Sequence, residues 1–65
     1  MELAWSDSAE IAITLADNYP EQDPHQVRFT DLRRMILGLE EFTDDPNHCG
    51  ERVLEAVMLA WIDEY

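Results

Sequence analysis

Tyr19-Pro20-Glu21-Gln22-Asp23-Pro24-His25-Gln26-Val27-Arg28-Phe29-Thr30-Asp31-Leu32 is the stretch that decides how this chain folds. It separates two helical patterns. Pro20 ends the helix before it, because proline pushes the preceding residue away from helical geometry. Asp23-Pro24 reads as an N-cap followed by a proline at the first helical position, which predicts a short helical turn. Arg28-Phe29-Thr30-Asp31 starts the next helix, with Thr30 as the cap and Asp31 at the positive end of the macrodipole. A connector of this kind organises a fold without naming a function.

On its N-terminal side, Leu3 and Trp5 precede a cap region, Ser6-Asp7-Ser8-Ala9-Glu10. Asp7 and Glu10 have capping-box spacing, with Ser6 as the other candidate cap. Ile11, Ala12, Leu15, Ala16 and Tyr19 follow on one stripe, so a helix with a buried face is expected over residues 7–18. Trp5 is expected to fold back on that face as a staple-like core contact. On the C-terminal side, Leu32, Met35, Ile36 and Leu39 recur at helical spacing with Phe42 extending the patch, predicting a helix over 31–40. Gly38 marks either a close approach by another backbone or an early end.

A second connector, Glu40-Glu41-Phe42-Thr43-Asp44-Asp45-Pro46, repeats the Asp-Pro cap chemistry. Leu54, Val57, Met58 and Trp61 then define a last helix from Glu51 to Asp63, its stripe widened by Val53 and Ala60. No alternating run is long enough for a strand. The expected fold is all-α, a compact three-helix domain spanning residues 1–65.

Charge is the strongest compositional signal. Fifteen Asp and Glu stand against four Arg and no Lys, a formal charge of −11. Such a surface repels phosphate backbones and anionic membranes, leaving basic proteins and divalent cations as attractive partners. The bland alternative is that acidity only keeps a small domain soluble. No apolar run approaches bilayer length, and the first residues lack the basic and apolar regions of a signal peptide, so a soluble cytoplasmic protein is expected. The single cysteine, Cys49, excludes an internal disulfide.

Catalytic constellations are missing. Both serines sit at a helix start, both histidines lie in connectors, and no nucleophile motif surrounds Cys49. His48 and Cys49 are adjacent, but two neighbouring ligands do not make a zinc or cluster site. Gly38 and Gly50 are the only glycines, so there is no phosphate-cradling loop. The carboxylates are different, because hard and borderline cations such as Mg²⁺, Ca²⁺, Mn²⁺ and Fe²⁺ take oxygen ligands. Glu40, Glu41, Asp44 and Asp45 fall within six residues, and Glu21 and Asp23 join them if both connectors share one end of the domain. An up-and-down path would place the connectors at opposite ends. Three helices with a long first connector also suggest a winged-helix regulator, but Arg33 and Arg34 cannot outweigh the surrounding carboxylates on DNA.

Trp5-Ser6-Asp7, Glu10-Ile11-Ala12, Tyr19-Pro20, Asp23-Pro24, Val27-Arg28-Phe29-Thr30-Asp31-Leu32, Phe42, Asp44-Asp45-Pro46, Glu51, Leu54-Glu55-Ala56 and Trp61 together resemble the IscX family. These are small acidic proteins of bacterial iron–sulfur cluster assembly, and the resemblance covers essentially the whole chain. Met35 stands where some members have tryptophan, and the Asn47-His48-Cys49-Gly50 turn looks variable. The resemblance implies a fold like a modified winged helix that does not bind DNA. It implies a monomer when free that docks on a basic surface of the cysteine desulfurase IscS, in competition with frataxin and ferredoxin. It also implies weak binding of ferrous iron through exposed carboxylates. Glu21, Asp23, Glu40, Glu41, Asp44 and Asp45 are the expected anionic contacts, with Glu40, Glu41, Asp44 and Asp45 shared with Fe²⁺. The rivals are a transcription regulator and a stand-alone acidic metal-binding module.

Overall fold

Asp7 occupies the N-cap position of the first helix, α1 (Ser8–Asn18), yet its side chain makes no cap hydrogen bond. Its carboxylate turns back instead and accepts from the Ala4 amide at 3.0 Å, while its own amide donates to the Ala4 carbonyl at 2.9 Å. The expected capping box is therefore replaced by a closed turn that fixes how the chain enters α1. The computed structural model describes residues 2–65. Two further helices follow, α2 (Phe29–Leu37) and α3 (Glu51–Glu64), with single 3₁₀ turns at Pro24–Gln26 and Pro46–His48. The protein is an all-α, three-helix domain. Its described residues contain no strand beyond one isolated parallel bridge between Leu3 and Phe42.

Both 3₁₀ turns form as their Asp-Pro pairs predict. The Asp23 carboxylate accepts from the His25 amide and the Asp45 carboxylate from the Asn47 amide, each at 2.9 Å. Each proline sits where its missing N–H leaves no donor unmet.

The start and end of α2 differ from expectation. It begins at Phe29, so Thr30 lies inside the helix, and extended Arg28 takes the N-cap position without a side-chain bond. The Arg28 carbonyl already accepts from the Leu32 amide at 2.8 Å, which satisfies the first turn without a hydroxyl. At the other end the helix stops at Leu37 rather than at residue 40. Leu39 N–H reaches back only three residues, to Ile36, and the tightened turn redirects the chain. Gly38 is the C-cap, and a Cβ there would meet only Arg34 and Met35 carbonyls of its own helix at 3.5 Å. It marks an early end, not a close approach by another element.

The core gathers Leu3 and Trp5 with Ile11, Ala12 and Leu15 of α1, Leu32 and Ile36 of α2, Leu39 and Phe42 of the second connector, and Leu54, Val57 and Trp61 of α3. At about 1.5–3 kcal/mol for each large apolar side chain removed from water, burial is what offsets the conformational entropy of so short a chain. The Trp5 and Phe42 rings meet edge to face with centroids 4.5 Å apart. Tyr19 departs from its stripe. It is 38% exposed, because it follows the end of α1 with a non-helical backbone (φ −128°) and Pro20 leads the chain away.

The helices α1 and α3 form the main packed pair. Tyr19 and Pro20 after α1 share a hollow with Glu64 and Tyr65 at the end of α3. Trp5, just before α1, bonds to Asp44 and Asp45, just before α3. The two helices therefore run in the same direction, and their negative C-terminal ends lie together.

Candidate functional site

The acidic connector is held by the N-terminal segment. Leu3 N–H donates to the Glu41 carbonyl at 2.7 Å and Thr43 N–H donates to the Leu3 carbonyl at 3.1 Å. Two residues on, Trp5 N–H donates to Asp44 Oδ2 at 3.0 Å, and Trp5 Nε1–H donates to the Asp45 carbonyl at 2.7 Å. Asp44 Oδ1 accepts from the Asp45 amide at 2.7 Å. Arg33 of α2 adds a bond to the Pro46 carbonyl at 3.1 Å. Residues 41–46 are thus clamped along their backbone, which is how an acidic loop acquires one shape despite its own repulsion.

This geometry sorts the expected anionic residues. Both Asp44 oxygens are committed to main-chain amides, and its carboxyl is held below the usual carboxylate range. The Trp5 amide contributes most to that lowering, the Asp45 amide next, and the charge of nearby His48 less. Asp45 commits Oδ1 to Asn47 and keeps Oδ2, which lies 3.8 Å from His48 Nε2. His48 Nδ1 is 3.7 Å from Asp44 Oδ1, so exposed His48 sits near both half-buried Asp44 and exposed Asp45. Glu40 and Glu41 lie apart from it, lining a hollow of about 390 Å³ with Asn18, Tyr19, Gly38 and Leu39.

Glu21 and Asp23 belong to the first connector. Asp23 is lowered by the His25 amide first and by the His25 ring second, with Asp23 Oδ1 2.9 Å from Nδ1. Among the described residues, no three His, Cys, Asp or Glu side chains gather as a metal-ion site. The connectors do not close into one chelating centre. What comes together is the start of the second connector, Glu40 and Glu41, with the end of α1 at Asn18 and Tyr19.

The electrostatics around that meeting point are one-sided. Neither α1 nor α3 has a basic residue in its last turn, and those turns carry Asp17, Asp63 and Glu64 at the negative ends of the macrodipoles. Among the described residues, every side-chain contact within 4.0 Å between a basic group and a carboxylate is made by a histidine, an ion pair only when that ring is protonated. No arginine neutralises a carboxylate within 4.0 Å there, so Glu40, Glu41 and their neighbours have no counter-charge from an arginine of the chain. No described helix is long and apolar enough to cross a membrane.

Two features escaped the sequence. Asp44 braces the acidic connector, and only the pairing of residues 3–5 with 41–45 reveals it. Tyr19 is a rim residue between two hollows, for which Pro20 beside it was the available signal. The model of a family described as iron-sulphur cluster assembly matches residues 3–65 of the chain. An uncharacterized protein of Pseudomonas aeruginosa is 55% identical over 64 residues, an alignment covering 98% of this chain and 97% of that protein.

Proposed function

The chain belongs to the iron-sulphur cluster assembly family, the IscX family of small acidic proteins, and from that premise we propose that it docks on a cysteine desulfurase as an adaptor or regulator. Its place is in iron–sulfur cluster assembly. The observation that carries the docking reading is the unneutralised anionic surface: a formal charge of −11 with no arginine–carboxylate pair among the described residues. A basic protein face relieves that repulsion and draws the chain in over a Debye length. Glu40 and Glu41 are the leading contacts, since both residues line an open hollow. Asp45, Glu21 and Asp23 extend the surface, and Asp44 supports it mainly by fixing the loop.

Ferrous iron enters this reading as a weakly held passenger. The described residues offer no site of three gathered ligands, and Asp44 is already engaged by main-chain amides, so Glu40, Glu41 and Asp45 Oδ2, which lies 3.8 Å from His48, are the oxygens left to meet it. The chain acts without chemistry of its own, in the cytoplasm, as a monomer until it meets the desulfurase. There it competes with frataxin and ferredoxin for basic surface.

Calorimetric titration into purified cysteine desulfurase, at low and high salt and with and without Fe²⁺, tests this. Binding that weakens as salt rises supports it. Absence of binding at low salt removes the desulfurase as partner.

A further inference from the structure

Tyr19 borders two hollows, and only one of them belongs to the acidic connector. On its other side Ala16, Pro20, Trp61, Glu64 and Tyr65 complete a hollow of about 410 Å³ between the C-terminal ends of α1 and α3. Tyr19 is 38% exposed and Tyr65 61% exposed, so two large aromatic side chains stand in solvent around one depression. We infer that this hollow receives an arginine side chain of a protein partner, seated against the Tyr19 and Tyr65 rings and paired with Glu64.

Three properties select that occupant. Two helix C-terminal ends with no basic residue in the last turn favour a cation and reject an anion. Tyrosine faces attract a planar guanidinium, which is less strongly hydrated than an ammonium and stacks while it donates to a carboxylate. Glu64 supplies that carboxylate at the rim, a position that disfavours a purely apolar guest.

Trp61 adds a fourth property. It is wholly buried, and its Nε1–H has no hydrogen-bond partner in the protein. Few buried donors are left so, and each calls for an acceptor. Trp61 also lines the hollow, so its indole N–H reports on an occupant seated there. The inference rests on the reading that the chain meets a cationic protein, and it carries that surface past Tyr19. Its test needs no desulfurase.

The isotope-labelled chain is titrated, at low salt and followed by NMR, with the blocked tripeptide acetyl-Gly-Arg-Gly-amide and with its uncharged citrulline counterpart. The expected result is a saturable shift of the Tyr19 and Tyr65 ring signals and of the Trp61 indole N–H. The citrulline peptide binds at least about fivefold more weakly, and Glu64→Gln and Tyr65→Ala each weaken the arginine peptide by a similar factor. Both substituted residues are exposed, and unchanged signals elsewhere confirm folding. No saturable shift, an equal response to citrulline, or shifts centred on residues 40–45 overturns the inference. A positive result beside a failed desulfurase titration keeps the arginine receptor and removes only the named partner.

Discussion

The indole Nε1–H of Trp5 donates to the carbonyl oxygen of Asp45 at 2.7 Å across forty residues of chain. With the Trp5 amide on Asp44 and the ring against Phe42, one residue ties the N-terminal segment to the acidic connector. Trp5→Phe keeps an aromatic ring for Phe42 but loses this bond. The expected cost is about 0.5–1.5 kcal/mol for the hydrogen bond, plus a smaller packing loss. Urea unfolding reads it as a lower midpoint with an unchanged slope.

Asp44 predicts a pH dependence. Its carboxyl titrates below the ordinary carboxylate value because Trp5 and Asp45 donate amides to its charged form. A folded-state value below the unfolded one stabilises the protein above the unfolded value, about pH 4, and the benefit disappears as pH falls through the lowered one. Asp23 adds in the same direction through His25. Protonating the many free carboxylates relieves repulsion at the same time, so the informative quantity is the difference from Asp44→Asn. Thermal unfolding followed by circular dichroism should show the variant less stable at neutral pH and converging on the parent as pH falls through the lowered Asp44 value. A constant gap down to acid would contradict the assignment.

Leu32 and Leu59 provide a packing test. Leu32 is 0% exposed, and Leu32→Ala is expected to cost about 2–5 kcal/mol, enough to leave a domain of this size largely unfolded. Leu59 is 61% exposed, and Leu59→Ala should stay within about 0.5 kcal/mol. Far-ultraviolet circular dichroism at 25 °C separates the two outcomes.

The three helices and most of the core were legible because their apolar residues recur at helical spacing. Ile11, Leu15, Leu32, Ile36, Leu54, Val57 and Trp61 are buried where that spacing puts them. Both Asp-Pro turns were legible because cap chemistry is local. What escaped depends on distant partners. Leu3 is buried through its bridge to Phe42, and no periodicity announces that. Thr30 has the residue type of a cap, but extended Arg28, two residues earlier, satisfies the helix start. The acidic connector was visible as composition, whereas the division between a committed Asp44 and the uncommitted Glu40–Glu41 pair depends on where residues 3–5 run.

Competition for the desulfurase gives a further test. If frataxin and ferredoxin share its basic surface with this chain, raising either one displaces the fluorescently labelled chain, and polarisation falls toward the free value. A ternary complex with polarisation at or above that of the binary complex would place the chain on separate ground. The same assay at higher salt should weaken the binary complex, because exposed charge pairs are screened within about 8–10 Å.

The docking face itself is tested most directly by titrating the parent chain and a Glu40→Gln, Glu41→Gln double variant into the desulfurase under identical low-salt conditions. Neither substitution touches the Trp5–Asp44 brace, so the fold is expected to persist. The account predicts at least about a tenfold loss of affinity, near 1.4 kcal/mol, with a shallower salt dependence. Equal affinity and an equal salt slope for the two chains would contradict it.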